Sequence, residues 1–170
     1  MKKQIGLLAL LFFVLLSFSF RNVSVFGIDE HPIISVDEHL LGKWQLLEDT
    51  DRLGFFTIGK QNNFQYKISY KTGIGSIKEL SQNTAFVSEL NNIKFINIFY
   101  IKDKLRGYLL FKLSELDTVN NKFSVSMVID SSIEQIDNRD EVRELISNNL
   151  NNTNFFSKEF HLQKIDSLVH

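Results

Sequence analysis

From Trp44 onward the apolar positions of this chain recur mostly at every second residue. Phe64, Tyr66, Ile68 and Tyr70 alternate with Gln65, Lys67, Ser69 and Lys71. Strict period two gives a strand one apolar and one wet face. Phe123, Val125, Met127 and Ile129 alternate in the same way with Ser124, Ser126, Val128 and Asp130. Between Ile93 and Ile101 both phases are apolar: Ile93, Phe95, Phe99 and Ile101 in one, Ile96, Ile98 and Tyr100 in the other. A strand of that kind is expected to be covered on both sides. Trp44–Leu47, Phe55–Ile58, Ser76–Leu80, Thr84–Leu90 and Tyr108–Leu113 complete eight strand candidates. Polar clusters such as Glu48–Asp51, Gln61–Asn63 and Asp117–Asn121 separate them, and Thr72-Gly73-Ile74-Gly75 reads as a hairpin turn because glycine supplies positive φ.

The period then changes. Val142, Leu145, Ile146 and Leu150 fall at helical spacing. Asn138 is the expected N-cap, with Glu141 three residues on in capping-box position, and Asp140 and Glu141 suit the positive end of the helix dipole. Asn148-Asn149 and Asn151-Asn152 are expected to end the helix, since Asn tolerates the left-handed conformation. A last strand carries Phe156, Phe160 and Leu162. The pattern predicts a mainly β fold: an antiparallel, up-and-down, barrel-like sheet of about eight strands, then one helix and a final strand. Eight strands can close around their own side chains or around one small ligand, and a flatter sandwich is also compatible with the pattern.

Upstream of the strands the character differs. Met1-Lys2-Lys3 precedes an apolar run from Ile5 to Leu16, extending loosely to Phe20. This is the pattern of an export signal, and the run is short for a spanning helix. Small residues offer cleavage after Ser19 or after Gly27; the alternative is an uncleaved anchor that holds the domain at a membrane. Residues 28–40 hold the single proline, Pro32, among mixed charges and read as a linker. The expected division is therefore a signal peptide over 1–27, a linker over 28–40, a β domain over 41–165 and a tail over 166–170. The expected location is periplasmic or extracellular.

Composition narrows the chemistry. The chain has 16 Phe, 4 Tyr and 1 Trp, which suits packing across neighbouring strands. A net charge of −1 without a basic stripe argues against nucleic acid as a partner. No Cys is present, so thiolate catalysis, thiolate metal sites and disulfides are excluded. His31 and His39 lie near carboxylates, but their spacing fits neither HExxH nor a zinc-finger pair. No nucleophile-elbow pattern is present, and His161 falls on the face opposite Phe160 and Leu162. No metal, cofactor or catalytic residue is expected.

Gly42-Lys43-Trp44, at the first strand and soon after the leader, resembles the Gly-x-Trp signature of lipocalins. The element order is similar to that family too. The resemblance implies an up-and-down barrel with the helix packed outside. It also implies that Trp44 packs under the closed end, against an Arg beyond the last barrel strand. Arg139 stands at that place, with Arg143 as the alternate. The family's middle Thr-Asp-Tyr motif has no match here.

The first functional expectation is an exported barrel that binds a small hydrophobic molecule. Its candidate lining is Phe64, Tyr66, Ile68, Tyr70, Phe95, Phe99, Phe123, Val125 and Met127. For each residue the competing role is core filling, and a ligand pocket needs roughly 300 Å³. The alternative is a cell-envelope module that meets a protein partner without a small ligand. That reading calls for an uncovered edge strand or an exposed apolar patch above ~400 Å².

Overall fold

Strand β1 (Gly42–Leu46) begins a meander in which each strand pairs antiparallel with the next. The others are β2 (Gly54–Lys60), β3 (Tyr66–Thr72), β4 (Glu79–Leu90), β5 (Ile93–Lys102), β6 (Leu105–Asp117) and β7 (Lys122–Met127). Helix α1 (Arg139–Asn148) follows, and then β8 (Phe160–Lys164). In this computed structural model, which describes residues 22–47, 54–72, 79–102 and 105–165, β8 pairs with both β7 and β1 and closes an eight-stranded barrel.

The mainly β, barrel-like class expected from the pattern is the class observed. Two details of the count differ. The strand expected to end at Leu80 and the one expected to begin at Thr84 are continuous: β4 runs through Ser81-Gln82-Asn83, pairing Ser81 with Tyr70 and Asn83 with Ile68. The expected final strand is itself the eighth barrel strand, so α1 interrupts the barrel one strand before closure. Residues 73–78, which include the expected Gly73–Gly75 turn, lie outside the described residues, as does the leader run.

Local signals explain the turns. Asn91 and Asn92 both take positive φ, at 52° and 62°, in the two-residue β4–β5 hairpin. That is the turn whose twist matches the strands. Asn121, at φ 53°, does the same at the β6–β7 turn. Helix α1 is capped as expected: the Asn138 side chain accepts the Glu141 N–H at 2.9 Å. Its C-terminus differs. Asn149 has φ −114° and caps by donating its side-chain amide to the Leu145 carbonyl at 2.9 Å.

Two cores result. The inner one fills the barrel with Trp44, Ile58, Tyr66, Ala85, Val87, Ile96, Leu113, Phe123, Val125 and Leu162. The outer one lies against β4–β6 and joins Leu90, Phe95 and Leu110 to Val142 and Ile146 of α1, with Ile28 and Phe155. Strand β5 is therefore covered on both sides, as its doubly apolar pattern predicted. Ile28 and Leu40, near the two ends of the expected linker, are both buried. Upstream of it, Ser24 forms a two-sided backbone bridge with Tyr108.

Candidate functional site

The inward phase follows from the register. Trp44, Phe56 and Tyr70 stand across from one another on β1, β2 and β3. Tyr66, Ala85, Ile98 and Leu109 continue around β3 to β6. Phe111 faces Met127, Leu113 faces Val125, and Phe123 faces Leu162. Alternation then puts Ile96, Ile98 and Tyr100 of β5 inside, and Phe95, Asn97 and Phe99 outside.

One end of the barrel is sealed. The chain enters it through a 3-10 turn, Glu38–Leu40, whose N-cap Asp37 accepts the His39 N–H at 3.0 Å. Trp44 is 1% exposed. Its indole N–H donates to the Leu40 carbonyl at 2.9 Å, and Phe123 meets its ring edge-on at 4.5 Å between centroids. The Asp37 N–H donates to the Tyr66 hydroxyl at 2.7 Å. Burial, the larger effect, and the nearby Asp37 charge raise the Tyr66 pKa against that hydrogen bond. Gly42 is needed here for its backbone, since φ is +132°.

The other end, where β1–β2, β3–β4 and β5–β6 connect, is packed differently. Leu46, Phe56, Tyr70, Ile98, Tyr100 and Phe160 are inward positions that remain only partly buried. Phe56 and Tyr70 stack at 5.0 Å between centroids. Asn83, half-buried in the same phase, adds an amide. Leu109 and Met127 stay buried in the adjoining wall. The upper interior is thus apolar, aromatic and partly accessible, with two phenols and an amide among its inward groups.

Six of the nine candidate lining residues share this inward phase: Tyr66, Ile68, Tyr70, Phe123, Val125 and Met127. Tyr66 and Phe123 belong to the sealed end, Tyr70 to the accessible one. Three do not line the interior. Phe64 is 42% exposed in the β2–β3 connection, where its N–H donates to the Asn62 side chain at 2.9 Å and the strand starts two residues later. Phe95 packs beneath α1 in the outer core. Phe99 contacts Tyr108 outside, at 5.3 Å between centroids. On β5, period two identified two faces but could not say which one turned inward. The residues missed were Leu46, Phe56 and Phe160 on alternating strands, and Ile98 and Tyr100 on the doubly apolar β5.

The cation expected over Trp44 is also a different one. Arg139 lies 5.6 Å from the Phe26 ring and 3.8 Å from Glu30, and Arg143 pairs with Asp29 at 2.8 Å. Residues 26–30 meet α1 on the outside of the wall, and its two arginines are used there. Lys164, at the end of β8, instead sits 5.4 Å over the Trp44 ring.

Outside the barrel, a cleft of about 230 Å³ is lined by Gln61, Gln65, Thr84, Phe86, Phe99 and Tyr108. A wider one of about 490 Å³ lies beside the β6 bulge, between Asn92 and Leu116. The first lies outside the barrel, and the second includes the inward residues Leu113 and Leu116 in its lining. On the outer face of β7 and β8, the Ser124 hydroxyl and His161 Nδ1 lie 2.7 Å apart, with Glu115 across from Ser124. The row runs carboxylate, hydroxyl, imidazole, whereas a relay that activates a serine needs the imidazole between the other two. His39 Nδ1 lies 3.0 Å from Asp37, and among the described residues no group of three or more His, Cys, Asp or Glu could hold a metal ion. No protein family, curated protein or solved structure matches this chain.

Proposed function

We propose that the barrel is an exported binding protein for a small apolar molecule, seated in the interior half opposite Trp44. The observation that carries this reading is the uneven filling of one continuous inner face. A barrel packed only for stability gains from burying all its inward rings, at roughly 25 cal/mol per Å² of apolar area. Here Trp44, Tyr66 and Phe123 at one end are buried while Leu46, Phe56, Ile98 and Phe160 keep accessible surface at the other. An apolar guest would bury that surface, and Tyr70, Tyr100 and Asn83 could meet a polar head group. Mostly apolar walls with a few polar groups are the ordinary makeup of a ligand site.

The test is a fluorescence titration with an environment-sensitive fatty-acid probe, followed by displacement with unlabelled fatty acid. Saturable binding that weakens in Phe56→Ala and Ile98→Asp supports the reading. A folded barrel that leaves the probe free at tens of micromolar sinks it.

The alternative, an envelope interaction module, loses one of its supports. Closure pairs every barrel strand on both sides, so pairing by a partner at a free barrel edge is not available. Its remaining support is the outer cleft, where Phe86 and Tyr108 meet edge-on at 5.9 Å beside neutral amides. Aromatic and amide groups together suit a protein contact. Loss of a captured partner in Phe99→Ala, with probe binding unchanged, would favour it.

A further inference from the structure

We infer that residues 22–29 are a fixed part of the folded domain, so that any cleavage of the leader takes place upstream of Asn22. This rests on the export reading for its biological setting, but its structural half stands alone. The sequence offers two sites, after Ser19 and after Gly27. Only the first leaves these residues attached.

Four contacts carry the inference. Strand β7 leaves β6 at the Phe111–Met127 pair, with Val128 still bonded to Leu110 at 2.9 Å. Beyond that point Ser24 takes over: its N–H donates to the Tyr108 carbonyl at 3.0 Å, and its carbonyl accepts the Tyr108 N–H at 2.7 Å. The segment thus completes the wall beside the upper part of β6. The approach is close enough to require a glycine. A Cβ at Gly107 would stand 2.4 Å from the Ser24 carbonyl oxygen and 2.5 Å from Val23 Cγ1.

Ile28 is then pinned from two elements. Its N–H donates to the Asn97 side-chain oxygen at 2.9 Å, and its carbonyl accepts from Arg143 at 3.1 Å. Asn97 is itself fully buried, and its amide donates to Ser88 Oγ at 2.9 Å.

Cutting after Gly27 has a specific cost. Ile28 is 0% exposed. The cut would turn its amide into an α-ammonium, charged at neutral pH, where the N–H now donates to the buried Asn97 side chain. Burying such a charge without an ionic partner is strongly unfavourable. The same cut would take away Ser24 and leave the Tyr108 amide and carbonyl unpaired. A cut after Ser19 leaves the Ile28 peptide bond intact and Ser24 in place.

The first experiment expresses the full chain with its leader in an exporting bacterial host and determines the N-terminus of the recovered protein by intact mass and end sequencing. A start at Phe20, or an uncut chain, keeps the segment and supports the inference. A folded, released protein starting at Ile28 overturns it. The second uses hydrogen exchange on the full chain. The amides of Ser24, Ile28 and Tyr108 are expected to exchange at least ~100-fold more slowly than unstructured amides. Gly107→Ala and Asn97→Ala should each remove that protection while β2–β3 amides keep theirs. Unprotected amides in the unmodified chain overturn the inference whatever the export result. Protected amides in a chain that is never exported leave the segment in place and remove the export reading.

Discussion

Trp44 and Tyr70 point into the same barrel two strands apart, and their surroundings are opposite. Trp44 is buried, hydrogen-bonded to Leu40, edge-on to Phe123 and covered by Lys164. Tyr70 stacks on Phe56, and both keep accessible surface. Both ends are built from strands with the same alternation. The difference comes from what closes each end. The 3-10 turn at Glu38–Leu40 folds under the Trp44 end and brings Leu40 and Asp37 to Trp44 and Tyr66. Close packing and accessible surface are therefore divided between two halves of one inner face.

The sharpest way to break this comparison is to truncate one ring at each end. Trp44→Ala should cost about 3–5 kcal/mol in chemical denaturation, since it empties a packed site. Phe56→Ala should cost about 1–2 kcal/mol and act mainly on probe binding. Equal losses at both positions would mean that the two halves are packed alike. Next in size is Asn97→Ala, which orphans the Ile28 N–H and should cost about 1–3 kcal/mol in the same measurement. That outcome would place a further share of the stability outside the barrel, beyond the comparison of its two ends.

The sealed end should also show itself in alkali. The Tyr66 pKa is raised, chiefly by burial, so the fold favours the neutral phenol. Its contribution to stability is complete below the ordinary tyrosine value of about 10. It is lost as pH rises from there through the folded value, because the unfolded chain ionises first. A phenolate absorbance titration should find a late-titrating tyrosine that is absent from the curve of Tyr66→Phe. The smallest effects concern cations. Lys164→Met should lower stability by about 0.5 kcal/mol and shift Trp44 emission. Arg139→Met should leave Trp44 emission unchanged and cost no more than a similar ~0.5 kcal/mol, through its place over the Phe26 ring. Its ion pair with Glu30 is 3.8 Å long with a largely exposed carboxylate, and among the described residues its buried Nε has no hydrogen-bond partner. A shift in Trp44 emission from Arg139→Met alone would restore the arginine that the lipocalin resemblance implied.

Much of the barrel was legible in the chain because a half-buried strand writes itself as period two. Tyr66 to Tyr70 and Phe123 to Met127 fell on the inner face for that reason. Two kinds of residue misled. Polar Ser81 and Asn83 fall between two separate strand candidates, although strand pairing with Tyr70 and Ile68 carries the backbone through them. On β5 both phases are apolar, so alternation identified two buried faces without saying which was inside. Helix α1 showed its cap and its apolar stripe. Where that stripe would land, and hence which groups its arginines would meet, was not written locally.

The sequence by itself determined the elements, since alternation, Asn turns and an Asn cap are properties of neighbouring residues. Only the tertiary structure decided the rest. It made the last strand the closing one, turned Ile96 and Ile98 inward in place of Phe95 and Phe99, and laid Lys164 over Trp44. It also paired Ser24 with Tyr108 of β6 and laid Ile28 into the outer core. Each of these depends on contacts between segments far apart in the chain, and closure fixes them together: once β8 pairs with β1, the inner face and its two unequal ends follow.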